Sequence, residues 1–362
     1  MHRLAACLLV VLSSFASHVL AQSGEWKALL QESTTLFFQG KFEAGAAAGR
    51  KALELAESEN GPRHPTVAAS ANRLAENLRL LGKYAEAEPL YKRALAIRER
   101  ARGADAPETA QSLANLAQLY AMQARYAEAE PLYKRALAIR ERTAGTDAAE
   151  TGVVLNGLAE LCRETGRLAE AAPLYRRSLA IWDRVRAADR AAGGSVNQTV
   201  FALNGVALVE REAGRADEAE SLYKRAIELI DEARDRDHPL MSRSLQGLAS
   251  LYASRGDYDR AEVLYKRAVA ILEESLDREH PRMAAVLQGL AGVYAAQNEY
   301  VRAEALLKRA LSIRVAALGE RHPDVAETLD RLAAVYRSAG KEADASAAAA
   351  RAAALRGGRP QG

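Results

Sequence analysis

The sequence predicts an all-α solenoid of about eight helix-turn-helix repeats, and three observations carry that prediction. The strings Gly82-Lys83-Tyr84-Ala85-Glu86-Ala87-Glu88-Pro89-Leu90-Tyr91-Lys92-Arg93-Ala94-Leu95 and Ala124-Arg125-Tyr126-Ala127-Glu128-Ala129-Glu130-Pro131-Leu132-Tyr133-Lys134-Arg135-Ala136-Leu137 are nearly identical and lie 42 residues apart. Self-similarity at a fixed period marks a stacked array of one supersecondary unit. A turn position recurs as Gly40, Gly82, Ala124, Gly166, Gly214, Gly256, Asn298 and Gly340, at steps of 42, 42, 42, 48, 42, 42 and 42. Around it, apolar residues recur at three- and four-residue steps: Ala71, Leu74, Ala75 and Leu78 before Gly82, then Ala87, Leu90, Tyr91, Ala94 and Leu95 after it. That spacing is a helix stripe on each side of a turn. The units so marked run near 25–60, 66–102, 108–144, 150–187, 198–236, 240–277, 282–319 and 324–356, leaving 357–362 as a flexible tail.

The chain opens with a different pattern. His2 and Arg3 form a short basic region, an apolar run from Leu4 to Leu20 follows, and Val19-Leu20-Ala21 closes it with small residues where a signal peptidase reads. The expectation is a signal peptide over 1–21, cleavage after Ala21, and a mature protein in the periplasm or outside the cell. Ser13, Ser14, Ser17 and His18 interrupt the run, which argues against a membrane-spanning helix. Leu4-Ala5-Ala6-Cys7 has the look of a lipoprotein box, but only three residues precede it, too few for an export signal if Cys7 were lipidated. Without the leader, Cys162 is the sole cysteine, so no intrachain disulfide forms. Its repeat equivalents are Tyr120 and Tyr252, which makes it a core residue.

Within each unit neither helix can bury its stripe alone, so neighbouring units stack. The small residues Ala87, Ala129, Ala171, Ala219, Ala261, Ala303 and Ala345, with Ala94, Ala136, Ser178, Ala226, Ala268, Ala310 and Ala352, let paired helices approach closely. Tyr91, Tyr133, Tyr175, Tyr223 and Tyr265 read as core rings beside them. Between units stand His64-Pro65, Ala106-Pro107, His238-Pro239, His280-Pro281 and His322-Pro323, with proline at a first helical turn, where a missing amide hydrogen costs little. One histidine per layer places them about 10 Å apart, too far to share a zinc at about 2 Å, so no metal site is expected. The pairs Glu88/Lys92, Glu130/Lys134, Glu220/Lys224, Glu262/Lys266 and Glu304/Lys308 are i,i+4 pairs on a solvated face.

The string Gly-x-Tyr-x-Glu-Ala-Glu-Pro-Leu-Tyr-Lys-Arg-Ala-Leu followed by a His-Pro loop resembles the tetratricopeptide repeat of kinesin light chains and their bacterial relatives, over about Glu25 to Arg356. The pattern departs in three places: the first unit lacks a leucine-rich first helix, His-Pro is missing at Ala148-Ala149, and six extra residues around Ala192-Gly193-Gly194-Ser195 make a candidate hinge. The resemblance implies a right-handed superhelix whose first helices line a groove for a peptide segment or helix of a protein partner. It places three rows in that groove. One is Asn72, Ala114, Asn156, Asn204, Gln246, Gln288 and Asp330. Another is Arg79, Ala121, Arg163, Arg211, Ala253, Ala295 and Arg337. A third is Glu76, Gln118, Glu160, Leu208, Ser250, Gly292 and Ala334. Side-chain amides both donate to and accept from a peptide backbone. The expected partner-binding residues are therefore Asn72, Arg79, Asn156, Arg163, Asn204, Arg211, Gln246, Gln288 and Asp330. No lysine stands in these rows, so a carboxylate clamp of the lysine kind is not expected.

Other function classes find little support. The chain carries 50 Lys and Arg against 47 Asp and Glu, a net +3, and +2 once Arg3 leaves with the leader, which gives nucleic acid or anionic lipid no electrostatic handle. No His-Glu-x-x-His, Gly-x-Ser-x-Gly or phosphate-cradling Gly-x-x-x-x-Gly-Lys is present. Neither a catalytic constellation nor a cofactor is therefore expected. The rival reading is a scaffold that self-assembles through its ends. The last helix, near Ala345 to Leu355, is nearly all alanine and caps the stack weakly, which would favour a homodimer.

Overall fold

Each helix starts and stops for a local reason. His64, His280 and His322 sit in extended backbone just before Pro65, Pro281 and Pro323, and each imidazole Nδ1 accepts the amide hydrogen two residues on: Thr66 at 3.3 Å, Arg282 at 3.1 Å and Asp324 at 3.2 Å. These histidines are N-caps, satisfying an amide that has no partner inside the helix. Ala148 occupies the same place with no side-chain bond. At the inner turn of each unit the chain leaves the helix through left-handed backbone. The amide of Lys83 reaches back to Leu78 O at 2.8 Å and that of Gly82 to Arg79 O at 3.1 Å, closing a Schellman cap. Glycine serves there at six of the eight turns, at φ +73° to +79°. Ala124 and Asn298 take the same conformation at φ +56° and +65°. A Cβ in that region costs about 1 kcal/mol, so Ala124→Gly is expected to stabilise the protein by about 0.5–1 kcal/mol, read as a higher midpoint in urea unfolding.

The computed structural model describes residues 24–188, 193–233, 239–275 and 280–357. Among these no strand occurs; the chain is a series of helix pairs. The pairs are α1 (24–38) with α2 (Phe42–Asn60), α3 (Pro65–Leu80) with α4 (Tyr84–Arg102), α5 (Pro107–Met122) with α6 (Tyr126–Thr143), and α7 (Ala149–Glu164) with α8 (Leu168–Ala188). There follow α9 (Gly193–Glu212) with α10 (Ala216–Glu232), α11 (Pro239–Ser254) with α12 (Tyr258–Ser275), α13 (Pro281–Ala296) with α14 (Tyr300–Leu318), and α15 (Pro323–Ser338) with α16 (Glu342–Gly357). The expected leader over 1–21 with Cys7, the His238 loop and the tail from 358 lie outside the described residues. So does Ala192 of the expected hinge. Gly193, Gly194 and Ser195 open α9, and α8 and α9 at 21 and 20 residues exceed the 18 and 16 of α6 and α7, so helix absorbs part of the insertion.

Two compact units divide the chain, one ending at Leu119 and the other beginning at Tyr120. In the first unit, α1 and α3 are joined by a polar contact. Asn77, fully buried, donates to Ser33 Oγ at 3.2 Å, and Ser33 donates to Gly45 O at 2.7 Å. In the second unit, tyrosine rings set the layer spacing. Tyr133, Tyr175, Tyr223 and Tyr265 of the second helices are at most 4 % exposed, and each lies against a glycine of the following first helix: Gly157, Gly205, Gly247 and Gly289. A Cβ added at any of those glycines would come within 3.0 Å of ring carbons. Ala171, Ala219, Ala261 and Ala303 beside them are fully buried.

Candidate binding site

First helices of the second unit pack on one another across layers, α7 with α9, α9 with α11 and α11 with α13, whereas the second helices make their contacts with first helices. The first helices therefore form the crowded inner layer. Here the expected amides are found, but deeper than a free lining would be. Asn156, Asn204 and Gln288 are 3 %, 3 % and 7 % exposed, and Gln246 is half-buried. In the first unit Asn72 is 4 % exposed.

Most of these groups already have partners inside the protein. Asn72 donates to Glu76 at 2.8 Å and accepts from Asn115 at 3.0 Å. Asn156 Nδ2 bridges to α9 through the carbonyl and side chain of Gln198, at 3.3 and 3.1 Å. Gln288 accepts from Arg314, a cation 6 % exposed on α14, and donates to Glu327 at 2.8 Å. Arg211 donates to Ser250 at 2.8 Å and pairs with Glu212 at 2.6 Å. Asp330, on α15, pairs with Arg356. Arg79 is half-buried on α3. The picture of a row of open amides therefore gives way to one of amides that tie one layer to the next.

Asn204 is the exception. Neither its Nδ2 nor its Oδ1 has a hydrogen-bond partner, and Asn156 Oδ1 is also unmatched. Part of the cause lies in the repeat: Gln198 offers Asn156 Nδ2 a side-chain oxygen, and the equivalent residue one layer on, Leu240, has none to offer Asn204. Leaving a buried polar group unmade costs about 1–3 kcal/mol, so such groups call for an explanation.

A charged cluster meets the same helix at Phe201 and Gly205. Glu160 on α7 receives Arg163 at 3.1 Å, Arg243 of α11 at 2.7 Å and the hydroxyl of Tyr175. The guanidinium of Arg243 lies 4.6 Å from the centre of the Phe201 ring on α9, within range of a cation–π contact. Burial pushes the Glu160 carboxyl up, but Arg243 and Arg163 outweigh it and hold the group far below the usual carboxylate range. Burial pushes the Tyr175 hydroxyl up, and the Glu160 charge adds to that. Tyr175, a core ring by sequence, thus also serves this cluster, and Arg243 stood in none of the expected rows. Its signal was available. Val153, Phe201, Arg243 and Glu327 occupy one repeat position, each 13 residues before its turn residue, so Arg243 is set to cover Phe201 of the layer before.

On the outer side the acidic residues do more than pair within their helix. Glu220 accepts from Lys224 at 2.8 Å, and also from Tyr252 at 3.0 Å and Arg255 at 2.6 Å of the next pair. Glu304 does the same with Lys308 and Lys341, both at 2.7 Å. Glu130 takes Lys134 and Arg167. The expected solvated pairs are also interlayer ties.

The tetratricopeptide repeat profile matches residues 27–100, 66–142, 123–184, 198–274, 254–314 and 282–357, which overlap to cover most of the sequence. The chain belongs to the tetratricopeptide-repeat family. Among solved structures it is similar to a Rap protein complexed with competence and sporulation factor, at 14% identity over 92% of this chain and 98% of that one, with a TM-score of 0.63. It is likewise similar to the apo form of RapI, at 15% identity over 80% and 97%, with a TM-score of 0.56. BtubC (BKLC) from P. vanneervenii matches at 24% identity over 66% and 92%, with a TM-score of 0.48. No curated protein matches the chain. The all-α tetratricopeptide-repeat solenoid expected from the sequence is what this protein forms.

Proposed function

We propose that this tetratricopeptide-repeat protein is a non-enzymatic binding scaffold that holds an extended segment of another protein against the inner helices α7, α9 and α11, in the cell envelope or outside the cell. The observation that carries the reading is the Asn204 amide, buried on the inner layer with both polar atoms unmatched. A peptide backbone offers the carbonyl and the amide hydrogen that would satisfy it. A Rap protein of the same fold is solved in complex with competence and sporulation factor, which supports a stack of this kind as a holder of a ligand. The leader-like pattern over 1–21 supports export. Among the described residues no helix is long and apolar enough to cross a membrane.

The test uses Asn204→Leu in the full chain. Leucine matches asparagine in shape and removes two unmatched polar atoms, so the variant is expected to melt higher than wild type. At the same time it should lose the partner that wild type captures by cross-linking in the host's envelope fraction, from which the mature chain should be recovered starting at Gln22. A gain in stability together with a loss of capture marks a group kept for binding. Undiminished capture would reject the inner-face site.

A further inference from the structure

The bond between Arg243 and Glu160 joins residues 83 apart in sequence, from α11 to α7, past the first helix that lies between them. Both ends can be placed over one turn of α9. Arg243 lies on the Phe201 ring. Glu160 is held by the Tyr175 hydroxyl, and the Tyr175 ring lies on the backbone of Gly205. The bridge therefore crosses the turn from Phe201 to Gly205. Residues three and four apart share a helix face, so Asn204 belongs to the stretch beneath it.

The bridge is not sealed away. The Arg243 and Glu160 side chains are 33% and 23% exposed, so a solute can reach them, while Asn204 below is closed off. The pair is partly buried, so neither charge leaves it alone at low cost; an exchange in which one carboxylate replaces another on Arg243 keeps the guanidinium paired throughout.

We propose that this bridge is a closed gate over Asn204, opened by a partner's extended segment whose own carboxylate takes Arg243 from Glu160. The inference rests on the binding reading above and adds the chemistry of the partner: an Asp or Glu side chain next to the stretch of backbone that Asn204 receives. The asymmetry of the pair decides which half moves. If Arg243 leaves, Glu160 keeps Arg163 and Tyr175. If a ligand cation instead displaced Arg243, the guanidinium would keep only the Phe201 face and no anion. Breaking one partner away from a partly buried charge is the costly direction, so the exchange that supplies an anion is favoured.

The experiment selects a display library of random linear peptides on the folded full chain. The enriched peptides are then resynthesised with Asp, Asn or Lys at the enriched position. Wild type is expected to enrich one acidic position, and Asp→Asn there should weaken binding about tenfold, whereas Arg243→Gln should bind the two peptides alike. Glu160→Gln, which frees Arg243 without a ligand, should bind the acidic peptide about fivefold tighter than wild type. If Glu160→Gln does not fold, Arg243→Gln decides alone, because it breaks the bridge from the side that leaves Glu160 satisfied. Enrichment of Lys or Arg, indifference to Asp→Asn on wild type, or no gain in a folded Glu160→Gln would overturn the gate. Peptides that need Asn204 but not the carboxylate leave the binding reading standing and the gate fallen. Peptides that bind Asn204→Leu undiminished, or a library with no enrichment, reject both.

Discussion

Gly247→Ala is expected to destabilise the protein by about 1–3 kcal/mol, the range for forcing extra volume into a packed core. The sign is the informative part. In the middle of an exposed helix the same change normally gains about 1 kcal/mol, because alanine is the better helix former. Gly247 lies inside α11, yet a Cβ there would stand closer than 3.0 Å to three ring carbons of Tyr223, a ring only 2% exposed. The ring cannot swing away, because Ala219 and Ala226 of its own helix are fully buried around it. Either the helix pairs separate or the ring leaves its rotamer. The double variant Gly247→Ala with Tyr223→Leu is expected to recover much of the loss. Its logic is native to this chain: at the equivalent position of the last layer, Leu307 stands in place of the tyrosine and Arg331 in place of the glycine. Urea unfolding of the two singles and the double closes the cycle. Additive effects would show that ring and glycine are independent.

That pairing also shows how much of the fold was legible. Tyr133 with Gly157, Tyr223 with Gly247 and Tyr265 with Gly289 are each 24 residues apart, and Tyr175 with Gly205 is 30 apart across the six-residue insertion. The sequence alone places the helices, their turns and the tyrosines in the core, because those depend on periodicity within one unit. It also contains the tyrosine–glycine pairing of the four layers from Tyr133 to Gly289, although Tyr91, one layer earlier, has Asn115 where the others have glycine. The site was harder to read. Helical periodicity says which face a residue occupies but not how deep it lies once the next layer is stacked. Asn156 and Gln288 fall on the expected face, and then meet Gln198, Glu327 and Arg314 of other helices, which fill the hydrogen bonds that an open groove would have left free. Arg243 reaches two layers back, and no local pattern announces a contact over 83 residues. The missing side-chain acceptor for Asn204 Nδ2 follows from Leu240 standing where Gln198 does. That comparison can be made on paper only once the Asn156–Gln198 bond is known.

Stability is expected to fall on both sides of neutral pH, and the two flanks have different owners. Lysine partners hold the carboxyls of Glu220 and Glu262 below the usual range, as Arg167 and Lys134 do for Glu130, and Lys308 and Lys341 for Glu304. A carboxylate whose folded pKa is depressed adds stability above its unfolded value of about 4.3 and loses it as pH falls through the folded one. The acid limb should therefore begin below about pH 4.3. Lys134, Lys224, Lys266, Lys308 and Lys341 are raised by the same bonds, led in each case by the glutamate hydrogen bond. Their contribution is whole below about pH 10.4 and is lost above it. Because each of these glutamates also accepts from the next helix pair, through Arg167, Arg255, Tyr294 or Lys341, protonating them loosens the stack as well as the helix that carries them, and the melting temperature should drop by about 5 °C on the acid side. The carboxylates are 17–26% exposed, so about 1 M salt should weaken both limbs by screening. Glu220→Gln removes the acceptor shared by Lys224, Tyr252 and Arg255 and should flatten the acid limb. An acid limb of equal depth in that variant would shift the acid sensitivity from the interlayer glutamates to other groups, Glu160 first among them, since its bond to Arg243 ties α7 to α11.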